Sequence, residues 1–241
     1  MEIVKQLDWD SALFGFPVAA ITAPRLTAAE LDDALRHLRQ KGVRLAYWVT
    51  DPADGATQAG AQGAGGFLAD VRTTYAVELA KLPQIPRAAA AVAVTSYVER
   101  QSTPELDQLA IDSAVYSRFA VDPRIQREHF TALYKTWMRN SVSRSIAREV
   151  LIVEADRHVL GMATLGEKNG RGDIGLIAVT AAARGRSYGT ALMFRAADWF
   201  RAAGLGAAQV VTQGRNTAAN RFYERCGYRV EKREHTYHLW L

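Results

Sequence analysis

Tyr223, seven residues after Asn216, and the turn Arg184-Gly185-Arg186-Ser187-Tyr188-Gly189 are the parts of this chain whose residue types and spacing suit chemistry. A phenol with a pKa near 10 stays protonated at neutral pH, so Tyr223 can deliver a proton to a leaving anion. Seven residues is about two helical turns, which sets Asn216 at the head of a helix, as its cap, and the tyrosine on one helix face. A small-residue turn running into a helix leaves free backbone N–H groups at the positive end of the helix dipole, where a pyrophosphate can sit. Arg184 and Arg186 can each grip phosphate oxygens with two parallel hydrogen bonds. Each feature also has a plainer reading: a core aromatic beside Phe222, a helix cap, and a solvated basic turn.

The elements that must position these groups divide an α/β chain into two portions. Residues 1-80 read as an N-terminal α/β half-domain, with an apolar segment at 12–21, strands at 43–49 and 71–79, and helices at 27–41 and 54–63. The first helix is marked by Leu31, Leu35 and Leu38 at helical spacing, Thr27 as N-cap, Glu30 at the capping-box position and Gly42 as its stop. The two prolines of Lys-Leu-Pro-Gln-Ile-Pro-Arg make 81-91 a linker, since proline interrupts ladders and helices alike. Residues 92-241 form the larger domain. It has strands at 92–98, 150–155, 159–167, 173–179, 209–212 and 228–239, and helices at 104–117, 126–140, 188–203 and 217–226. Leu192, Ala196, Trp199 and Phe200 give the helix after the turn one apolar face for packing on a sheet.

Composition narrows the field further. Of 241 residues 49% are hydrophobic, enough for one large or two small cores. No basic start leads into an apolar stretch, and no run of about 18 apolar residues occurs, so a soluble cytoplasmic protein is expected, with no membrane partner. A single cysteine, Cys226, rules out an intrachain disulfide and a cysteine-based zinc site, and no His/Glu spacing suggests a metal. The net charge of +5 favours anionic partners. Arginines are scattered, and no nucleic-acid-binding motif is present, so a phosphorylated cofactor and substrate account for the charge better than nucleic acid does.

Strand, arginine-glycine turn, helix, strand, Asn216 and Tyr223, in that order, resemble the GCN5-related N-acetyltransferase (GNAT) superfamily. Its Gln/Arg-x-x-Gly-x-Gly/Ala motif is matched by residues 184–189 except that Ser187 replaces the first glycine, a change that fits if that position has negative φ or if the hydroxyl caps the helix. The resemblance implies the GNAT fold, a mixed, mostly antiparallel twisted sheet flanked by helices, and acetyl-CoA as co-substrate without a metal. Its arms would be held by the backbone of Ile177, Ala178 and Val179, by the turn Arg184, Gly185, Arg186, Ser187, Tyr188, Gly189 and Thr190, and by Asn216. Tyr223 would then protonate the departing CoA thiolate.

Over nearly the whole chain, Leu7 to Gly15, Tyr116 to Phe119 with Asp122-Pro123, Phe130 to Ser141, and Asn216 to Tyr228 are similar to bacterial TDP-fucosamine acetyltransferases. These acetylate the amine of a dTDP-linked amino-dideoxy sugar in surface-polysaccharide synthesis. The similarity implies a nucleotide-sugar partner, leaves room for a homodimer, and puts Phe14, Phe16, Arg118 and Phe119 on the acceptor side. It makes Asp70 the candidate general base, with a solvated loop aspartate as the alternative; His129 and His158 fit that role less well. Other amines, such as a protein N-terminus, a polyamine or an antibiotic, are the competing substrates. A non-catalytic CoA-binding module is the competing class, against which an intact Tyr223 argues.

Overall fold

The structure, a computed structural model, describes residues 3–241. In the first third, β1 (Val4–Gln6), α1 (Asp8–Phe14), β2 (Val18–Ile21), α2 (Ala28–Gln40), β3 (Leu45–Thr50), α3 (Gly55–Gly63) and β4 (Phe67–Glu78) follow one another. The capping box forms as expected, with the Thr27 hydroxyl accepting from the Glu30 N–H and the Glu30 carboxylate accepting from the Thr27 N–H at 2.8 Å. The apolar segment at 12–21 is a helix end and a strand, not one element.

The linker stretch 81-91 carries one short helix, α4 (Arg87–Ala90), and leads to β5 (Thr95–Ser96), α5 (Pro104–Ser113), α6 (Arg118–Val121) and α7 (Arg127–Val142). Then come β6 (Glu149–Ala155), β7 (His158–Lys168), β8 (Arg171–Val179), α8 (Tyr188–Ala202), β9 (Ala207–Gln213), α9 (Thr217–Arg225) and β10 (Arg229–Trp240).

The ten strands of the described residues join one sheet in the order β1-β2-β3-β10-β4-β9-β8-β7-β6-β5, with parallel pairing at β2/β3 and β8/β9 and antiparallel pairing at the others. The last strand of the chain, β10, lies between β3 and β4, and β4 lies between β10 and β9. Strands from both portions of the sequence therefore alternate in the middle of the sheet.

One face of the sheet is covered by α1, α5, α6 and α7, whose Phe14, Leu109, Phe119 and Leu133 pack with Tyr47, Met162 and Leu176. The other is covered at one end by α2 and α3, around Trp48 and Tyr237, and at the other by α8 and α9, around Tyr75, Val210, Phe200 and Tyr223.

Two bulges shape the centre of this sheet. On β4, Leu68 pairs with Tyr237 and Asp70 with Thr236, so Ala69 is an extra residue. Because side chains alternate along a strand, the extra residue turns Asp70 to the α6/α7 face while Leu68 stays with the α2/α3 core. On β8, Ile177 pairs with Ala163 but Ile174 with Leu165, which leaves one unmatched residue between them. Thr164 stabilises that irregularity by accepting the Leu176 N–H on its hydroxyl at 2.8 Å. Past the bulge, β8 diverges from β9: their parallel pairing covers Gly172 to Ile174 on one strand and Ala208 to Val210 on the other, and stops there.

Candidate active site

The divergence opens a gap at the middle of the sheet. Ile177, Ala178 and Val179 keep their antiparallel partners on β7 but have no pairing to β9, so one backbone edge of β8 is free. Val211 to Gln213 of β9 continue on β4, paired with Thr74 to Arg72. After Val179 the chain passes a short 3-10 turn, Ala181–Ala183, and reaches the arginine-glycine turn. Gly185 has φ +78°, a conformation suited to glycine.

Ser187 departs from the expectation of negative φ or a capping hydroxyl. It has φ +63° and makes no cap bond. The backbone here is that of a glycine, kept by a residue that must tolerate left-handed geometry. Ser187→Gly is accordingly expected to stabilise the fold by about 1 kcal/mol, read as a higher urea midpoint at unchanged slope.

The first intrahelical bond of α8 runs from the Ala191 N–H to the Ser187 carbonyl at 2.9 Å, so the N–H groups of Tyr188, Gly189 and Thr190 face out of the helix end. Arg184 and Arg186 are exposed beside them, and the Arg184 Nε–H lies 3.4 Å from the Val179 carbonyl. A Cβ on Gly189 would approach Phe222 to 3.2 Å, which fixes how closely α9 packs on the start of α8.

Asn216 is the cap of α9, its side-chain oxygen accepting from the Ala219 N–H at 3.1 Å. Tyr223 is buried on that helix, its ring 5.7 Å from Tyr75 and 5.4 Å from Phe222. The core-packing reading is thus true of its ring. Burial raises the phenol's pKa above its usual value.

On the opposite face stands Asp70. It is not a solvated loop residue: it lies within β4 and is 6% exposed, with Oδ1 buried and without a hydrogen-bond partner. Burial pushes its pKa up to about 7, against the pull of the cations Arg118, Arg215 and Arg72 and the Val71 N–H. Tyr134 of α7 is close enough to feel its charge. Tyr134 stacks on Trp137 at 5.9 Å, and Trp137 in turn approaches Gly175, at the mouth of the gap.

Arg118 is held in place by its neighbours. Its guanidinium lies 3.7 Å from the Tyr47 ring centroid and 4.2 Å from that of Phe119. Its Nη1 is 3.3 Å from Nε2 of the fully buried His238, whose Nδ1 is 2.7 Å from Asp122 Oδ2. Burial holds His238 below its ordinary pKa. Asp122 stays low despite its burial because His238, Trp240 and the Arg124 N–H all donate to it. A neutral imidazole that donates from Nδ1 to Asp122 accepts at Nε2 from Arg118, so the tautomer follows from the partners.

Phe14 and Phe16 stack at 5.7 Å, and Phe14 reaches Phe119 at 6.1 Å, so the four residues expected on the acceptor side do cluster. The sequence reading did not find Tyr134, Trp137, His238 or the role of Asp122. A histidine inside the alternating strand Tyr237-His238-Leu239-Trp240 was the available signal, since a buried histidine needs a partner.

Residues 113–228 match the acetyltransferase (GNAT) family, and a full-length relative agrees. The chain belongs to the GNAT family and is an N-acetyltransferase. Over 95% of its length, and 94% of the relative's, it is 30% identical to the dTDP-fucosamine acetyltransferase of Escherichia coli O6:H1 strain CFT073. It is 25% identical to the spore coat polysaccharide biosynthesis protein SpsD of Bacillus subtilis strain 168, over 59% of this chain and 49% of that one. The GCN5-related N-acetyltransferase of Kribbella flavida shares the fold with a TM-score of 0.60 at 16% identity, covering 92% of this chain and 80% of that one.

Proposed function

We propose that this enzyme moves the acetyl group of acetyl-CoA directly onto the amine of a dTDP-linked amino-dideoxy sugar, in surface-polysaccharide synthesis. The observation that carries the reading is the gap between β8 and β9. It has an anion-receptive helix end and a buried phenol on one face of the sheet, and a buried carboxylate with a pKa near neutrality on the other. The E. coli relative supplies the acceptor class.

In this reading the diphosphate of CoA sits at residues 184–190, with Asn216 and the head of α9 bordering the CoA arm. Pantetheine amides pair with the free edge of Ile177 to Val179, as an added strand would. Backbone N–H groups of that edge polarise the thioester carbonyl. The acceptor arrives from the side of Phe14, Phe16, Arg118 and Phe119, which residues 1-80 help to shape. Asp70 takes a proton from the ammonium group, and the amine nitrogen then attacks the carbonyl carbon. As the carbon–sulfur bond breaks, Tyr223 gives its proton to the sulfur, and the second proton shed by the new amide nitrogen restores the phenol, while Asp70 passes the first to solvent.

Cys226 supports direct transfer over an acyl-enzyme: it is buried, and burial pushes its thiol up to about 11, leaving little thiolate at neutral pH. None of the described residues forms a helix long and apolar enough to cross a membrane. Both co-substrates are metabolites of the cytoplasm, where we place the enzyme.

Gly189→Glu is expected to abolish CoA binding, because it adds negative charge to the helix end where a diphosphate must approach and its Cβ, 3.2 Å from Phe222, pushes α9 off the start of α8. Calorimetry on protein shown to be folded by circular dichroism checks this; undiminished affinity removes the site. The acceptor is tested by comparing a dTDP-aminosugar with the free aminosugar. Hydrogen bonds to a charged diphosphate contribute about 1.5–3 kcal/mol each, so two of them favour the nucleotide form by at least about 100-fold in kcat/KM. Equal values would leave the acetyltransferase and remove the sugar nucleotide.

A further inference from the structure

Phe14 and Phe16 of the acceptor-side cluster also line a cavity of about 260 Å³, to which the steps above assign no role of its own. Its walls are Phe14, Phe16, Trp240 and His129, and its charged groups are Arg44 and Arg124. The volume is just under the roughly 300–1,000 Å³ of pockets that enclose a whole ligand, which fits part of one.

Phe16 and Trp240 face each other with centroids 6.0 Å apart and planes tilted by 54°. Arg44 lies 4.6 Å from the Phe16 centroid, and Arg124 lies 5.9 Å from that of Trp240. Both arginines are exposed, and neither has a carboxylate partner among the described residues, so both guanidinium groups are open to a ligand. Two unpaired guanidinium groups over half-buried aromatic rings combine a surface for a flat π-system with donors for phosphate oxygens.

The pocket is tied to the acceptor side in two ways. Ring contacts run from Phe16 through Phe14 to Phe119, over which Arg118 lies. The Asp122 carboxylate oxygen that receives His238 Nδ1 also receives Trp240 Nε1 at 2.9 Å, so one buried carboxylate orients both the pocket wall and, through His238, Arg118.

We propose that this pocket holds the nucleoside diphosphate end of the acceptor, the base against Phe16 and Trp240 and the phosphates on Arg44 and Arg124. The inference rests on the sugar-nucleotide reading and says which residues perform it. The amino sugar then extends along the Phe14–Phe119 path towards Arg118 and Asp70.

The test uses the full chain and three probes in calorimetry: thymidine 5′-diphosphate, thymidine and inorganic pyrophosphate. Thymidine diphosphate should bind better than either fragment, and Arg44→Ala/Arg124→Ala should weaken it at least tenfold. Both side chains are exposed, so the variant should fold, and Arg44→Lys/Arg124→Lys should restore part of the affinity. In turnover, the double alanine variant should raise KM for the dTDP-aminosugar at least tenfold, with KM for acetyl-CoA unmoved. Wild-type KM for the nucleotide sugar in that variant, or thymidine diphosphate competing only with acetyl-CoA, overturns the pocket while leaving the sugar-nucleotide reading intact. Failure of every dTDP-aminosugar as a substrate, beside turnover of another amine, overturns both.

Discussion

Tyr223→Phe should lower kcat by on the order of 10²-fold, the loss typical of a general acid, while KM for acetyl-CoA stays nearly constant. The substitution keeps the ring that packs on Tyr75 and Phe222. Thermal stability should therefore change little, which separates a proton donor from a core aromatic. Burial keeps the phenol protonated well above neutral pH, so the wild-type rate should show no fall attributable to Tyr223 across the neutral range. Steady-state kinetics with a thiol-detecting reagent, beside a thermal melt, make the measurement. A Phe variant with wild-type kcat returns Tyr223 to packing alone and requires another proton source.

Asp70→Asn should cost more, on the order of 10²- to 10⁴-fold in kcat, and should also change the pH profile. With the carboxyl pushed up to about 7, wild-type kcat/KM should rise through neutral pH and level off once Asp70 is ionised. The Asn variant should lack that step. Stability should move the other way. The folded protein keeps the Asp70 proton up to about pH 7, whereas an unfolded chain releases it near 3.9. Between those values the folded state binds more protons, so Asp70 lowers stability progressively as pH rises and does so fully above 7. At pH 8 the Asn variant should melt no lower than wild type. A pH profile that keeps its step in the variant would show that another group takes the proton.

Local signals carried much of this structure. The capping box at Thr27 and Glu30, the strand-turn-helix order at 173–203 and the Asn216 cap all depend on residues within a few positions of one another. Helix α1 was hidden because its few turns bury Phe14 against distant aromatics instead of showing a periodic face. Asp70 looked like a loop residue because the bulge at Ala69 breaks the alternation that would mark β4, and the carboxylate's burial comes from α6 and α7, far along the chain. The positive φ of Ser187 was unreadable since the residue type argues against it. The chain of contacts from Asp122 through His238 to Arg118 spans more than a hundred residues of sequence, and no local pattern encodes such a partnership.

The place of β10 matters during synthesis as well as in the finished enzyme. When residues 3–78 have left the ribosome, the strand that separates β3 from β4 in the folded sheet has yet to be made, because β10 follows β9 in the chain. Until it arrives, both carry open hydrogen-bonding edges of the kind that invite pairing with other chains. Completion of the sheet must wait for contacts of very long sequence separation, which are slow to form. The nascent chain therefore has a long interval of exposure, and a shield such as a holding chaperone has most to protect in that interval.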